Sequence, residues 1–151
     1  MPLVRIRSLK LADAKAASEM TWKSFYYFYN KRYPEADFEA FRDLTTPVAL
    51  QVSMLTGGAM FYGYYENNEL LGVVGIRQGR ILFLFVERLH WYFHIGTKLV
   101  KHAIARAQTN TITVEAYLPV VGFYKKLGFE VCGREFDEYG VPAVPMKLEL
   151  E

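Results

Sequence analysis

The hydrophobic pattern changes period several times along the chain, and each change marks an element. Val4 and Ile6 alternate with Arg5 and Arg7, which predicts a strand over residues 3–9. Helical spacing follows, with Asp13 near the helix start, where a carboxylate suits the dipole, and an end near Tyr29, before Pro34. In its second half Trp22, Phe25, Tyr26 and Tyr29 share one side at i, i+3, i+4, i+7. Packing on a sheet accounts for such a stripe, although tyrosine also suits the wall of a binding cleft. Residues 37–44 form a short amphipathic helix on Phe38, Phe41 and Leu44. Thr46-Pro47 then reads as the N-cap and first position of another helix, which Gly57-Gly58 ends.

From Ala59 the period becomes two. Met60–Glu66 and residues 70–77 are strands joined by the hairpin turn Glu66-Asn67-Asn68-Glu69, and Gln78-Gly79 turns into the next strand. Residues 81–86 are apolar without a break, the pattern of a strand buried on both faces. Ile95, Leu99, Val100, Ala103, Ile104 and Ala107 then recur at helical spacing to about Gln108. Thr111–Tyr117 is a short buried strand, Pro119 opens a helix that closes at Leu127-Gly128, and two strands, 130–135 and 144–149, surround residues 138–142. Middle hairpins combined with later helical crossovers predict a mixed α/β (α+β) fold in one domain, 1–151. Its sheet is mostly antiparallel, of six to seven strands, with helices on both faces.

The junction at residues 81–101 carries the first chemical hint. A buried strand, a short loop and a helix beginning at His94-Ile95-Gly96-Thr97 present backbone N–H groups that no intrahelical carbonyl satisfies, a natural anion site. Composition narrows the alternatives. The net charge of +2 is not concentrated in any Lys/Arg run, which argues against nucleic acid. The single cysteine, Cys132, excludes an intramolecular disulfide and any Cys-based metal site, and fits a reducing cytoplasm; its strand context reads as core filler. No stretch approaches the ~18 unbroken apolar residues of a membrane span, and the first ten residues lack a signal-like apolar run. The aromatic share is 16%, with 11 Tyr and 11 Phe, many of them clustered.

Three segments resemble the GCN5-related N-acetyltransferase (GNAT) superfamily. Residues 81–100 align without gaps to its strand-loop-helix, whose loop normally reads Gln/Arg-x-x-Gly-x-Gly/Ala. Gly122-Phe123-Tyr124-Lys125-Lys126-Leu127-Gly128-Phe129 is similar to its Phe-Tyr-x-Lys-x-Gly-Phe helix. Residues 133–146 resemble a bacterial branch that closes on a Gly-Ile-Pro-His-x-x-Met hairpin, with Ala143 in place of the His. The loop departs from the pattern: Trp91 stands for Gln/Arg, His94 for the first glycine, Tyr92 and Phe93 are bulky, and only Gly96 remains of the two glycines.

The resemblance implies an N-acetyltransferase that takes acetyl-CoA into a gap between strands 81–86 and 111–117. The backbone of Phe85 and Val86 would pair with the pantetheine amides. Trp91, Tyr92, Phe93, His94, Ile95, Gly96 and Thr97 fall in the pyrophosphate loop, and Tyr117, Phe123 and Lys126 are further candidate contacts. Tyr124 is implied as the proton donor to the leaving thiolate. Glu115 is the candidate base or water relay, with Glu87, His90 and His94 as alternatives; Trp22, Phe25, Tyr26, Tyr29 and Glu87 are candidates for the acceptor side. The implied acceptor is a small-molecule or peptide amine, with no metal, nucleic acid or membrane involved, in a monomer or homodimer. A degenerate acyl-CoA-binding or regulatory module is the competing expectation, motivated by the altered loop.

Overall fold

A computed structural model describes residues 2–87, 90 and 94–151. Strand β1 (Val4–Ser8) leads through a short 3-10 turn into α1 (Ala14–Tyr29), α2 (Phe38–Leu44) and α3 (Pro47–Thr56). Strands β2 (Met60–Glu66), β3 (Glu69–Arg77) and β4 (Arg80–Val86) follow, then α4 (Ile95–Arg106), β5 (Thr111–Tyr117) and α5 (Val121–Lys126). The chain closes with β6 (Glu130–Val131), β7 (Phe136–Glu138) and β8 (Val141–Glu149). The sheet runs β1-β2-β3-β4-β5-β8-β6, with β7 also paired to β8. Among these pairings only β4–β5 is parallel.

The local signals act as their chemistry dictates. Asp37 and Thr46 cap α2 and α3 by accepting hydrogen bonds from the Ala40 and Ala49 N–H groups at 3.0 and 3.1 Å. Asn67 and Asn68 both take positive φ, as a type I′ hairpin requires. Among the described residues the sheet has eight strands rather than six or seven, because the 138–142 turn region folds as its own hairpin between β7 and β8.

Burial departs from expectation in an instructive way. Strands β2 and β3, read as alternating, are buried on both faces from Phe61 to Tyr65 and from Leu71 to Ile76. Small buried residues of α1 (Ala14, Ala17, Ser18, Thr21 and Ser24) let the helix approach β3 and β4 closely on one face. On the other face Ile95, Leu99, Val100 and Ala103 of α4 are fully buried against the sheet. Strand β4, read as wholly buried, is only half-buried from Leu82 to Val86. Its run of apolar side chains lines a cleft. Cys132 is exposed rather than core, because it follows β6, a two-residue edge strand; its N–H donates to the Pro145 carbonyl at 2.9 Å.

Candidate active site

The cleft originates in the pairing of β4. Its ladder with β3 sets Phe83 opposite Gly75 but Ile81 opposite Ile76, so Leu82 is an extra, bulged residue. A bulge bends its strand and increases the local twist. Pairing with β5 ends at the same place: only Arg80↔Thr113 and Ile81↔Val114 match. Beyond that point the two parallel strands part, and a cleft of about 540 Å³ opens between them.

The phase of β4 decides which peptide groups face this gap. The Glu87 N–H donates to the Leu71 carbonyl at 2.8 Å, and Gly72 lies opposite Val86. Gly72–Val86 is therefore a non-hydrogen-bonded pair of the antiparallel ladder. The Val86 and Leu84 peptide groups point away from β3 into the gap, while Phe85 bonds back to Val73. The expectation for Phe85 is corrected to this extent: its ring lines the cleft, but its backbone belongs to the β3 ladder, and the peptide groups turned to the gap are those of Leu84 and Val86. The Val86 carbonyl accepts a hydrogen bond from the Ser24 hydroxyl of α1 at 3.2 Å.

The two faces of the gap carry different chemistry. On the α4–α5 face Tyr124 is 5% exposed and packs edge-on against Phe123 and Phe129, with ring centroids 5.1 and 5.4 Å apart. Burial raises its phenol above the ordinary value, so the hydroxyl is protonated at neutral pH. Helix α4 starts beside it. His94 is the N-cap, at φ 58° and ψ 20°, and its side chain makes no capping bond. That left-handed conformation is one glycine favours, which accounts for the residue type normally found at this point of the resembling loop. A Cβ at Gly96 would stand 3.3 Å from the Phe123 ring, so the glycine lets α4 and α5 approach closely.

On the α1–α2 face lie Phe28, Tyr29, Phe41, Arg80, Glu115, Tyr117 and Glu138. Arg80 and Glu115 form an ion pair at 2.9 Å. Glu138 is half-buried, and burial, then the Glu115 charge, push its carboxyl above the ordinary range against the opposing pull of Arg80. Burial, together with neighbouring Glu138, Tyr29, Tyr139 and Glu115, raises the Tyr117 phenol as well.

Of the residues singled out from sequence, the cleft brings together Tyr124, Glu115, Tyr117, Phe123, Phe85, Val86, His94, Gly96, Thr97 and Tyr29. Ile95 is a core side chain, 1% exposed, so only its N–H belongs to the helix N-terminus. Lys126 is exposed and outside the lining. Phe25 is buried behind the wall, Trp22 lies half-buried beneath the Arg42 guanidinium, and Tyr26 is 44% exposed; none of the three lines the cleft. Tyr26 and Trp22 fail as wall residues because the helix turns them toward α2, where both contact Phe38. Glu87 is bound to His90 Nδ1 at 2.7 Å and is likewise outside the lining. Trp91, Tyr92 and Phe93 lie outside the described residues. Among the lining residues that sequence reasoning missed are Leu84, Phe28, Arg80 and Glu138. Phe28 and Tyr29 are neighbours on α1, and the i, i+3, i+4 stripe chosen from sequence omitted Phe28.

A parallel strand pair parted above a bulge, with a helix N-terminus at one end and a tyrosine beneath, defines the N-acyltransferase class of fold. The chain belongs to the acetyltransferase (GNAT) domain family, whose pattern it matches over residues 29–150. It is 33% identical over 92 residues to the peptidyl-lysine N-acetyltransferase YjaB of Escherichia coli, a match covering 60% of this chain and 63% of that protein. It is 50% identical over 50 residues to the YjaB of Salmonella typhimurium, covering 32% and 34%. These matches thus span less than two thirds of either curated relative. Its fold is shared with the PaiA N-acetyltransferase of Thermoplasma acidophilum, solved in complex with coenzyme A. The TM-score is 0.80 at 20% identity, over 97% of this chain and 99% of that one. The apo form of E. coli YjaB superposes with a TM-score of 0.72 at 21% identity, over 96% and 97%.

No helix among the described residues is long and apolar enough to cross a membrane. Among the same residues no group of three or more His, Cys, Asp or Glu side chains is placed to hold a metal ion.

Proposed function

We propose that the protein transfers an acetyl group from acetyl-CoA to a primary amine by direct attack of the amine on the thioester. The observation that carries this reading is the parted β4–β5 pair, with Tyr124 on one face of the gap and carboxylates on the other. The cleft residues suit the donor. Leu84 and Val86 aim peptide groups where an extended pantetheine arm would lie as an added strand. The N–H groups of residues 95–97, at the positive end of the α4 dipole, suit a pyrophosphate, and the Thr97 hydroxyl lines the same cleft. The relatives named for peptidyl-lysine acetylation support an amine on a flexible chain as acceptor.

The chain's own groups then have two proton tasks. A carboxylate on the α1–α2 face accepts a proton from the acceptor ammonium, which frees the nitrogen lone pair. As the carbon–sulfur bond breaks, the Tyr124 hydroxyl supplies a proton to the thiolate.

Acetyl-CoA is expected to bind in the micromolar range. At 100 times its Kd it stabilises the native state by about 2.7 kcal/mol, which for a chain of this length raises Tm by about 5–10 °C. A melting curve unmoved by millimolar acetyl-CoA would remove the donor from this reading.

His94 provides a second test. A side-chain-bearing residue in the left-handed region costs about 1–2 kcal/mol, and glycine's extra freedom in the unfolded chain offsets ~0.5–1 kcal/mol of that. His94→Gly is expected to raise stability by about 0.5–1 kcal/mol and to leave acetyl-CoA affinity equal or tighter by calorimetry. A large loss of affinity would instead mean that the imidazole itself contacts the donor.

A further inference from the structure

Two carboxylates face the acceptor side of the cleft, and their surroundings separate them. Glu115 on β5 is engaged in an ion pair with Arg80 of β4 at 2.9 Å. Glu138 forms no ion pair and no side-chain hydrogen bond among the described residues, yet it is half-buried and lines the same cleft as Tyr124.

The backbone around Glu138 is fixed at four points. Glu138 pairs with Val141 across a two-residue turn in which Tyr139 and Gly140 have φ of 57° and 85°. The Gly140 N–H donates to the Asp137 carboxylate at 3.0 Å, and the Asp37 N–H donates to the Tyr139 carbonyl at 2.7 Å. A Cβ on Gly140 would lie 2.7 Å from the Ala36 Cα, so the turn is wedged against the segment between α1 and α2. A carboxylate in no ion pair among the described residues is thereby held on a braced hairpin that lines the cleft.

We infer that Glu138, and not Glu115, takes the proton from the acceptor ammonium, while Glu115 is held in its ion pair with Arg80. This rests on the acetyl-transfer reading above. The groups that face Glu138 are Arg80 from β4, Glu115 and Tyr117 from β5, and Tyr139 from its own turn. Burial and the Glu115 charge raise its carboxyl, which moves it toward the neutral range where a general base is most effective.

The protons balance. The ammonium gives one proton to the Glu138 carboxylate, and the neutral amine attacks the thioester carbon. When the carbon–sulfur bond breaks, Tyr124 protonates the thiolate, and the phenolate recovers a proton from the nitrogen of the new amide. Glu138 then releases its proton to solvent through the open cleft. The products are the acetamide, coenzyme A and one proton.

The test compares Glu138→Gln, Glu115→Gln and wild type with acetyl-CoA and three nucleophiles. Butylamine and a lysine-containing peptide are protonated at neutral pH, whereas methoxyamine is not. Glu138→Gln is expected to lower kcat/KM by about 10²–10⁴-fold with the protonated amines and by less than about tenfold with methoxyamine, which needs no base. The acid limb of the wild-type pH profile should vanish in the same variant, and its melting shift with acetyl-CoA should be retained. Equal losses on all three nucleophiles, or a nucleophile-dependent loss in Glu115→Gln instead, would overturn the assignment to Glu138. Wild-type protein that binds acetyl-CoA yet acetylates none of the three would overturn the amine-transfer reading and this assignment with it.

Discussion

Tyr124→Phe is expected to lower kcat by about 10²–10⁴-fold, the usual contribution of a positioned general acid, while the protein folds and binds acetyl-CoA as wild type. The ring's edge contacts with Phe123 and Phe129 survive the loss of one oxygen, and Tyr124 lies within the apolar cluster that joins α4, α5 and the sheet. The stability change should therefore stay within about 1 kcal/mol. The loss should appear in kcat more than in KM, because the proton moves only as the thiolate leaves. A pH signature accompanies it. Burial raises the phenol above the ordinary value of about 10. Wild type should accordingly keep its full rate up to at least pH ~9.5, with no alkaline limb from this group. Turnover of Tyr124→Phe at the wild-type rate, with any acceptor amine, would make Tyr124 a packing residue whose hydroxyl does not assist the thiolate.

The parts of this molecule legible in its sequence are those fixed by local chemistry. The cap at Thr46, the Asn67-Asn68 turn and the Ile95-Leu99-Val100-Ala103 stripe each depend on residues within one or two turns of each other. Tyr124 was legible too, through the octapeptide around it. What was not legible depends on register. Whether Phe85 or Leu84 turns its peptide groups into the gap is a matter of parity, set by the bulge at Leu82 and the offset from Gly72. An apolar run such as 81–86 says nothing about that parity. The same run misled about burial, because a strand lining an apolar cleft has the composition of one covered on both faces. Glu138 escaped for a third reason. Its environment is built by Glu115 and Arg80, distant in sequence, and by a hairpin turn whose wedge against Ala36 only the fold creates.

Phe25→Ala is expected to destabilise the protein by about 3–5 kcal/mol, a large part of the 5–15 kcal/mol that holds a typical domain together. Phe25 is fully buried and stacks on Phe41 with centroids 3.7 Å apart. It also touches Phe85 of β4 at 6.0 Å and Tyr117 of β5 at 5.8 Å. Those two strands exchange no ladder bonds beyond Ile81 and Val114, so side chains wedged between them must set the width of the gap. Tyr29, 5.2 Å from the Tyr117 ring, extends the wedge by one turn of α1. This explains why so aromatic a helix is needed there: large rigid rings brace Phe85 and Tyr117 from the α1 side, behind the open gap. In Phe25→Ala the walls lose their common support, and acetyl-CoA affinity should fall together with stability. Phe25→Leu should recover part of both. Tyr26→Ala, on the same helix but exposed and away from both strands, should cost about 1 kcal/mol and leave affinity intact. Denaturant unfolding and calorimetry at low temperature read the two quantities separately. Phe25→Ala that unfolds earlier yet binds acetyl-CoA like wild type would show that the sheet's own twist, and not the aromatic wedge, keeps β4 and β5 apart.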